Sequence, residues 1–129
     1  MKLSKGLIKA DIIAAKQAIE YFDSNHNCDI KNIAAYHLQQ AAEKLIKIQI
    51  YNKCNQVNNA QMYTHQIEKL ILYADSLGIN AIIPQYIREN SLIITAWEAG
   101  SRYDIGFSIR IDTLKKCSDV ISEWLKKIK

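Results

Sequence analysis

The chain has 129 residues, of which 49% are hydrophobic and 23% are charged, and its formal net charge at pH 7 is +4. This length suits one domain with a single core, and so high an apolar fraction excludes a disordered chain. Gly (4) and Pro (1) are scarce, which argues against an all-β fold rich in tight turns. The modest positive charge permits contact with nucleic acid without requiring it.

The sequence gives no sign of a membrane span, a secretory signal or a metal cluster. No apolar run approaches the roughly 20 residues that cross a bilayer, and the first residues lack a signal-peptide pattern, so we expect a cytoplasmic protein. Cys28, Cys54 and Cys117 are an odd number of thiols without a CxxC pair. We therefore expect free thiols and no metal or cofactor, with Cys117 in the core of the last helix.

Hydrophobic periodicity predicts two long helices in the first part of the chain. The first runs from Ser4 or Lys5 to Asp23, and the second runs from Asp29, a plausible N-cap, to Tyr51. The second contains no Gly or Pro, and apolar residues cover nearly half of its circumference. These residues are Ala34, Ala35, Leu38, Ala41, Ala42, Leu45, Ile46 and Ile48. A helix so broadly apolar needs several neighbours, so we place it at the centre of a bundle.

Shorter helices are predicted after residues 52–59, a polar connection without periodicity. Thr64 is expected to cap helix three, and Gly78 follows its last turn. The last two helices are predicted from Pro84, in a first turn, to Glu98 and from Ser108 onwards. The predicted fold is all-α, a single up-and-down bundle of about five helices in one domain over residues 1–129.

Three segments, in this order along the chain, resemble the HEPN domain family. They are HLQQAAEKLIK at His37–Lys47, THQIEKL at Thr64–Leu70 and SRYD at Ser101–Asp104. The resemblance implies a HEPN-like bundle of four or five helices that dimerises through helices. It also implies a minimal nucleotidyltransferase as partner in a toxin–antitoxin-type system, with the HEPN chain as the toxin or the target of nucleotide transfer. Tyr103 is the nearest candidate for the modified residue.

The HEPN ribonucleases share a sequence motif that this chain lacks. In HEPN ribonucleases an Arg is followed, after four to six residues, by a His. The residues at those offsets from Arg102 are Phe107, Ser108 and Ile109, and His26, His37 and His65 precede every Arg in the chain. We therefore predict a binding and partner module without ribonuclease activity. The alternatives are a metal-independent ribonuclease that uses Arg102 with a displaced His, and a nucleotide-binding homodimer.

The candidate residues for contact with a nucleotide or RNA are Arg102, Tyr103, His37, Lys44, Lys47 and His65. Arg102 either grips phosphate or forms a salt bridge with Glu98 or Asp104. His37, Lys44 and Lys47 follow one polar ridge of the central helix with Gln40, which either binds an anion or is a solvated face.

Two further groups have structural and functional interpretations. His65 lies in a helix first turn, where a charged imidazole is disfavoured, so we expect it to be neutral and packed or hydrogen-bonded. Tyr86, Trp97 and Tyr103 could stack bases, but we favour a place at the bundle surface or a dimer seam. The sequence contains no Gly-rich phosphate loop and no spaced Asp/Glu set for a metal.

Overall fold

The computed structural model describes residues 3–100 and 109–128, and within them it contains seven α-helices and no strand. The helices are α1 (Lys5–Asn25), α2 (Cys28–Lys53), α3 (Asn59–Met62), α4 (Ile67–Ser76), α5 (Gln85–Glu89), α6 (Ser91–Gly100) and α7 (Ile111–Lys127). The prediction of an all-α bundle is confirmed. None of the helices in the described part of the chain is long and apolar enough to cross a membrane.

Helix α2 is the centre of the bundle, as its apolar breadth predicts. Fifteen of its 26 residues are buried, and it packs against α1, α4, α6 and α7. Helices α1 and α7 lie side by side and antiparallel. Lys5, at the start of α1, donates to the carbonyl of Ile128 after the end of α7, and Lys115 pairs with Asp23 at the opposite ends at 3.0 Å.

The break between α1 and α2 is made by two adjacent residues. His26 ends α1 in the left-handed region with φ of 52°, and its N–H donates to the carbonyl of Phe22. Asn27 is the N-cap of α2, since its Oδ1 accepts from the N–H of Asp29 at 2.8 Å. The prediction of Asp29 as the cap is therefore wrong. Asp29 instead lies in the first turn, where its carboxylate faces the positive end of the helix dipole.

The connection after α2 contains a short helix that the sequence pattern did not indicate. Asn58 caps α3 through its Oδ1, which accepts from Gln61 N at 3.2 Å. The Asn58 N–H donates to the hydroxyl of Tyr73 on α4 at 2.7 Å, so α3 is fixed to α4 by a tertiary contact. A single turn contains too few residues to show a hydrophobic period.

Helix four of the prediction is two helices. Pro84 is the N-cap of α5, and the chain leaves helical geometry at Asn90, with φ of −112° and ψ of 17°. The Asn90 side chain donates to the carbonyl of Tyr86 at 2.8 Å, while its own carbonyl accepts from Ile94 N at 2.9 Å in α6. Asn90 therefore ends one helix and begins the next.

Helix α7 begins at Ile111 after an extended Arg110, so it starts later than the predicted Ser108, which lies outside the described residues. Its apolar side is buried as predicted, with Leu114, Cys117, Ile121 and Trp124 in the core. Burial raises the pKa of the Cys117 thiol to about 12. Cys117 therefore behaves as a small hydrophobic residue, as its position in the helix predicts.

Candidate functional site

The predicted residues Arg102 and Tyr103 lie outside the described residues, but both flanks of their segment are defined. Helix α6 precedes it and ends at Gly100. Ile109, the first described residue after it, is buried, and its carbonyl accepts from Nζ of Lys31 at 2.8 Å. The Lys31 ammonium also lies 5.1 Å from the ring centroid of Phe22. The chain therefore returns from this segment against the first turns of α2.

The buried carboxylate of Asp11 on α1 contacts two of the predicted site residues, His37 and Lys44. Asp11 is buried, and its Oδ1 lies 2.9 Å from Nδ1 of His37. Its Oδ2 lies 2.5 Å from Nζ of Lys44. His37 and Lys44 are seven residues apart, which places them on the same side of α2. They therefore clamp one carboxylate of the neighbouring helix, and the Lys44 cation already has an anionic partner.

A second buried carboxylate, Glu43 of α2, contacts the predicted site residues Lys47 and His65. It is 5% exposed, and its Oε1 lies 2.9 Å from Nδ1 of His65 and 3.0 Å from Nε2 of Gln39. Its Oε2 lies 2.9 Å from Nζ of Lys47, which is itself buried. Gln39 Nε2 also donates to the carbonyl of His65 at 3.0 Å. These contacts fix the chain before α4 onto the central helix.

The electrostatics of Glu43 result from two opposed effects. Burial disfavours the carboxylate and would by itself raise its pKa, but hydrogen bonds from His65, Lys47 and Gln39, with the charge of Lys47, outweigh the burial. The pKa of Glu43 therefore lies below its ordinary value. An ionised carboxylate only accepts hydrogen bonds, so Nδ1 of His65 carries the proton that faces it.

The predicted polar ridge does not exist as a single surface. His37 and Glu43 are six residues apart, or about 120° around the helix axis, so the Asp11 cluster and the Glu43 cluster face different neighbours. Lys47 is buried, so the interpretation of a solvated helix face is wrong for this residue. Gln40 donates to Oε1 of Gln39 at 2.7 Å and belongs to the surroundings of the Glu43 cluster.

The two histidines share a geometry that has chemical meaning. Each presents Nδ1 to a buried carboxylate, which leaves Nε2 as the ring nitrogen available to another group. A carboxylate that holds an imidazole in one tautomer is the arrangement with which proteins move protons. The His65 side chain is 60% exposed and that of His37 is 29% exposed, so His65 is the more accessible of the two.

The aromatic candidates Trp97 and Tyr86, and the nearby Arg88, have structural roles in the described part of the chain. Trp97 is buried, so it is a core residue and not part of a dimer seam. Tyr86 is partly buried, its ring lies 6.0 Å from Nζ of Lys116, and burial raises the pKa of its hydroxyl. Arg88 binds Asp75 in a fork, with N–O distances of 2.9 and 3.0 Å.

Sequence analysis missed the two carboxylates that organise these clusters, although each carries a signal. Asp11 lies three residues after Ile8 and four before Ala15, so it occupies the apolar stripe of α1. Gln39, Glu43 and Lys47 follow each other at intervals of four along one side of α2. Over residues 3–100 and 109–128 no group of three or more His, Cys, Asp or Glu side chains could hold a metal.

The described residues thus define an all-α bundle whose central helix takes part in two clusters, each formed by a histidine, a lysine and a buried carboxylate. The model of the HEPN domain matches residues 9–129, and because the match covers nearly the whole chain, the protein belongs to the HEPN domain family. Neither the curated proteins nor the solved structures contain a match to the sequence.

Proposed function

We propose that this HEPN-domain chain is a binding and partner module without ribonuclease activity. The module works as a homodimer that pairs with a minimal nucleotidyltransferase or binds nucleotide or RNA phosphate. The observation that carries the proposal is the order of the histidines and arginines along the chain. All three histidines precede every arginine, so the Arg-then-His motif of the HEPN ribonucleases is absent.

The position of the lysines supports the same view. A ribonuclease or phosphate-binding surface needs cations that are free to meet phosphate oxygens. Lys44 and Lys47 each have a carboxylate partner within 3 Å, and both are mostly shielded from solvent. Any contact with nucleotide or RNA phosphate in this proposal therefore falls mainly to Arg102.

Tyr103 is the proposed acceptor of nucleotide transfer. In that step its phenolic oxygen would attack the α-phosphorus of a nucleoside triphosphate. A tyrosyl phosphodiester forms, the bond to the β-phosphate oxygen breaks, and pyrophosphate leaves with the phenolic proton passing to a base. The partner enzyme supplies this chemistry, so the chain itself contributes the acceptor.

The second candidate function is a ribonuclease that uses Arg102 with His65. It is favoured by one observation, the exposed imidazole whose Nδ1 is held by Glu43 and whose Nε2 is left available. In that reaction Arg102 would bind the scissile phosphate, while His65 would take the proton of the ribose 2′-hydroxyl. The two functions make opposite predictions for purified protein.

The decisive experiment is cleavage of end-labelled transfer RNA and messenger RNA by the purified chain with a chelator present. We expect no cleavage by the wild type. Mass spectrometry establishes that the sample is unmodified, and after incubation with a minimal nucleotidyltransferase and nucleoside triphosphate we expect added mass on Tyr103. The matched control is Tyr63→Phe, since Tyr63 is 93% exposed and should leave that mass addition intact.

Cleavage by the wild type would overturn the module proposal, provided that it disappears in Arg102→Ala. Arg110→Ala is the control for this variant because Arg110 is an exposed arginine close in sequence. If cleavage also disappears in His65→Ala, the displaced histidine is identified. Cleavage that survives both Arg102→Ala and His65→Ala would point to a contaminating nuclease.

A further inference from the structure

The antiparallel pair α1 and α7 encloses a groove on the surface of the bundle. Its volume is about 500 Å³, which lies within the range of small-molecule sites in proteins. The side chains of Ile12, Ile13 and Leu125 contribute its apolar floor. Ile13 is 47% exposed, so this floor includes apolar surface that the described residues leave uncovered.

The rim of the groove is cationic. Lys5, Lys9, Lys16 and Lys126 line it, and its lining contains neither Asp nor Glu. Lysine stems can extend an apolar surface while their ammonium groups remain in water. A site with an apolar floor and a rim of ammonium groups is complementary to a ligand that has an apolar body and an anionic head.

Two of the four lysines are uncommitted. Lys5 donates to the Ile128 carbonyl, and Lys126 forms an exposed ion pair with Glu123 at 3.1 Å. Lys9 and Lys16, by contrast, form no hydrogen bond or ion pair with any residue that the structure describes, although Lys16 also lines a neighbouring cavity with Glu20 and Asp119. The two lysines are seven residues apart, which places them on one side of α1 and about 10 Å apart along its axis.

A buried hydroxyl adds an independent observation. Ser122 of α7 lines the same groove, and its Oγ is buried without a hydrogen-bond partner among the described residues. An unpaired buried hydroxyl is unfavourable. A carboxylate in the groove is an acceptor that can pair with this donor after a small movement of the side chains around it.

The lining also discriminates between classes of anion. It contains no aromatic side chain, so nothing in the groove could stack a nucleobase. A flexible aliphatic body can follow the uneven surface of Ile12, Ile13 and Leu125, and a carboxylate can meet an ammonium group at either end of this floor. We propose that the groove between α1 and α7 binds an aliphatic carboxylate, a small amphiphile of the fatty-acid class.

The test is titration of the full chain with decanoate below its micelle concentration, followed by calorimetry and by the methyl resonances of Ile12, Ile13 and Leu125. We expect saturable binding with shifts centred on these methyl groups. Two probes separate the parts of the ligand. Acetate has the head without the chain, and decyltrimethylammonium has the chain with the opposite charge. Neither should bind.

The matching variant is the double substitution Lys9→Glu with Lys16→Glu, which we expect to weaken decanoate binding at least about tenfold because it reverses both uncommitted charges. Both lysines are exposed, so the fold should persist, and circular dichroism checks that it does. Lys69→Glu on α4 is the control, since Lys69 is exposed and does not line the groove. It should bind decanoate like the wild type.

The proposal is overturned if the wild type does not bind decanoate, if decyltrimethylammonium binds equally well, or if the double variant retains full affinity. If decanoate does not bind, and the double variant is a monomer while the wild type is a dimer, the groove is an interface between copies of the chain. None of these outcomes depends on RNA cleavage or nucleotide transfer, so they leave the proposed function to its own test.

Discussion

Glu43 is the residue on which the polar contacts of α2 converge. It accepts hydrogen bonds from Gln39, Lys47 and His65, and it is nearly inaccessible to water. A buried charge is tolerated only when its hydrogen-bonding capacity is filled and an opposite charge lies close. Glu43 meets both conditions, so its contribution to stability should be measurable by substitution.

We expect Glu43→Gln to lower the free energy of unfolding by about 2–3 kcal/mol at pH 7, because the ammonium group of Lys47 would remain buried without its carboxylate. Urea unfolding of the two proteins measures the difference. Glu123→Gln is the control, because Glu123 pairs with Lys126 on the open surface, and such pairs contribute about 0–1 kcal/mol. Equal effects of the two substitutions would contradict the structural role of Glu43.

The difference in the free energy of unfolding between the wild type and Glu43→Gln should depend on pH, and the sign of this dependence follows from the pKa of Glu43. The pKa of Glu43 is lowered in the folded state from its ordinary value of 4.5, so the unfolded chain binds the proton more readily. The stabilisation is therefore fully present above about pH 4.5 and is lost as the pH falls through the folded-state pKa. The difference between wild type and Glu43→Gln should shrink over that acidic range and remain constant above it.

At the scale of elements, α4 is capped by another helix. Its N-cap, Gln66, makes no side-chain capping bond. Instead, Oγ1 of Thr95 on α6 accepts from Ile67 N at 2.8 Å and donates to Glu68 at 2.8 Å. The predicted cap, Thr64, accepts from Gln66 N at 3.1 Å before the helix begins. The prediction of Thr64 as the cap is therefore wrong.

Thr95→Val should lower the free energy of unfolding by about 1–2 kcal/mol, since it keeps the shape of the side chain but leaves the N–H of the buried Ile67 without an acceptor. Hydrogen exchange at Ile67 N should accelerate by more than the global change in stability explains. Thr64→Val serves as the matched substitution, because its partner N–H is exposed, and should cost about 0.5 kcal/mol or less. A larger effect at Thr64 than at Thr95 would refute the tertiary cap.

The sequence predicted the features that depend on a single helix, but it did not predict the contacts between helices, such as the Thr95 cap of α4. Central α2, the buried side of α7 and the end of α4 at Gly78 follow from hydrophobic periodicity and local backbone preference, and they were predicted. Thr95 acts across 28 positions of sequence, and Asp11 acts across 26. A periodic pattern can show that such a residue is buried, but it cannot identify the distant partner, because the partner depends on how the helices pack.

In the candidate site, too, some features could be predicted from the sequence and others depend on how the helices pack. Of the four predicted residues in the two clusters, only His65 was expected to be packed or hydrogen-bonded, whereas His37, Lys44 and Lys47 were expected either to bind an anion or to lie on a solvated helix face. Their division into two clusters could not be predicted, because the partners Asp11 and Glu43 belong to different helices. The order of His before Arg is, by contrast, a property of the sequence alone, and it carries the proposed function without any packing information.

At the scale of the whole molecule, several large apolar side chains of α4 and α6 are exposed to solvent. Leu92 is 70% exposed and Ile93 is 55% exposed on α6. Leu72 is 67% exposed on α4, which packs against α6. Leu92 and Ile93 are adjacent in sequence, and neighbouring apolar side chains that are left exposed can mark a contact with another molecule. These exposed side chains of α6 are the candidate interface for the proposed homodimer.

We therefore expect light scattering coupled to gel filtration to give twice the chain mass for the wild type and the chain mass for the double variant Leu92→Glu with Ile93→Glu. Burial of such side chains contributes about 1.5–3 kcal/mol each, so the loss of both should weaken dimerisation more than about 100-fold. Both positions are exposed, so circular dichroism should show an unchanged helix content. Tyr21→Glu, at a half-exposed position on α1, should remain dimeric. A wild-type monomer would contradict the homodimer, and a dimer that survives the double substitution would assign the interface to a different surface.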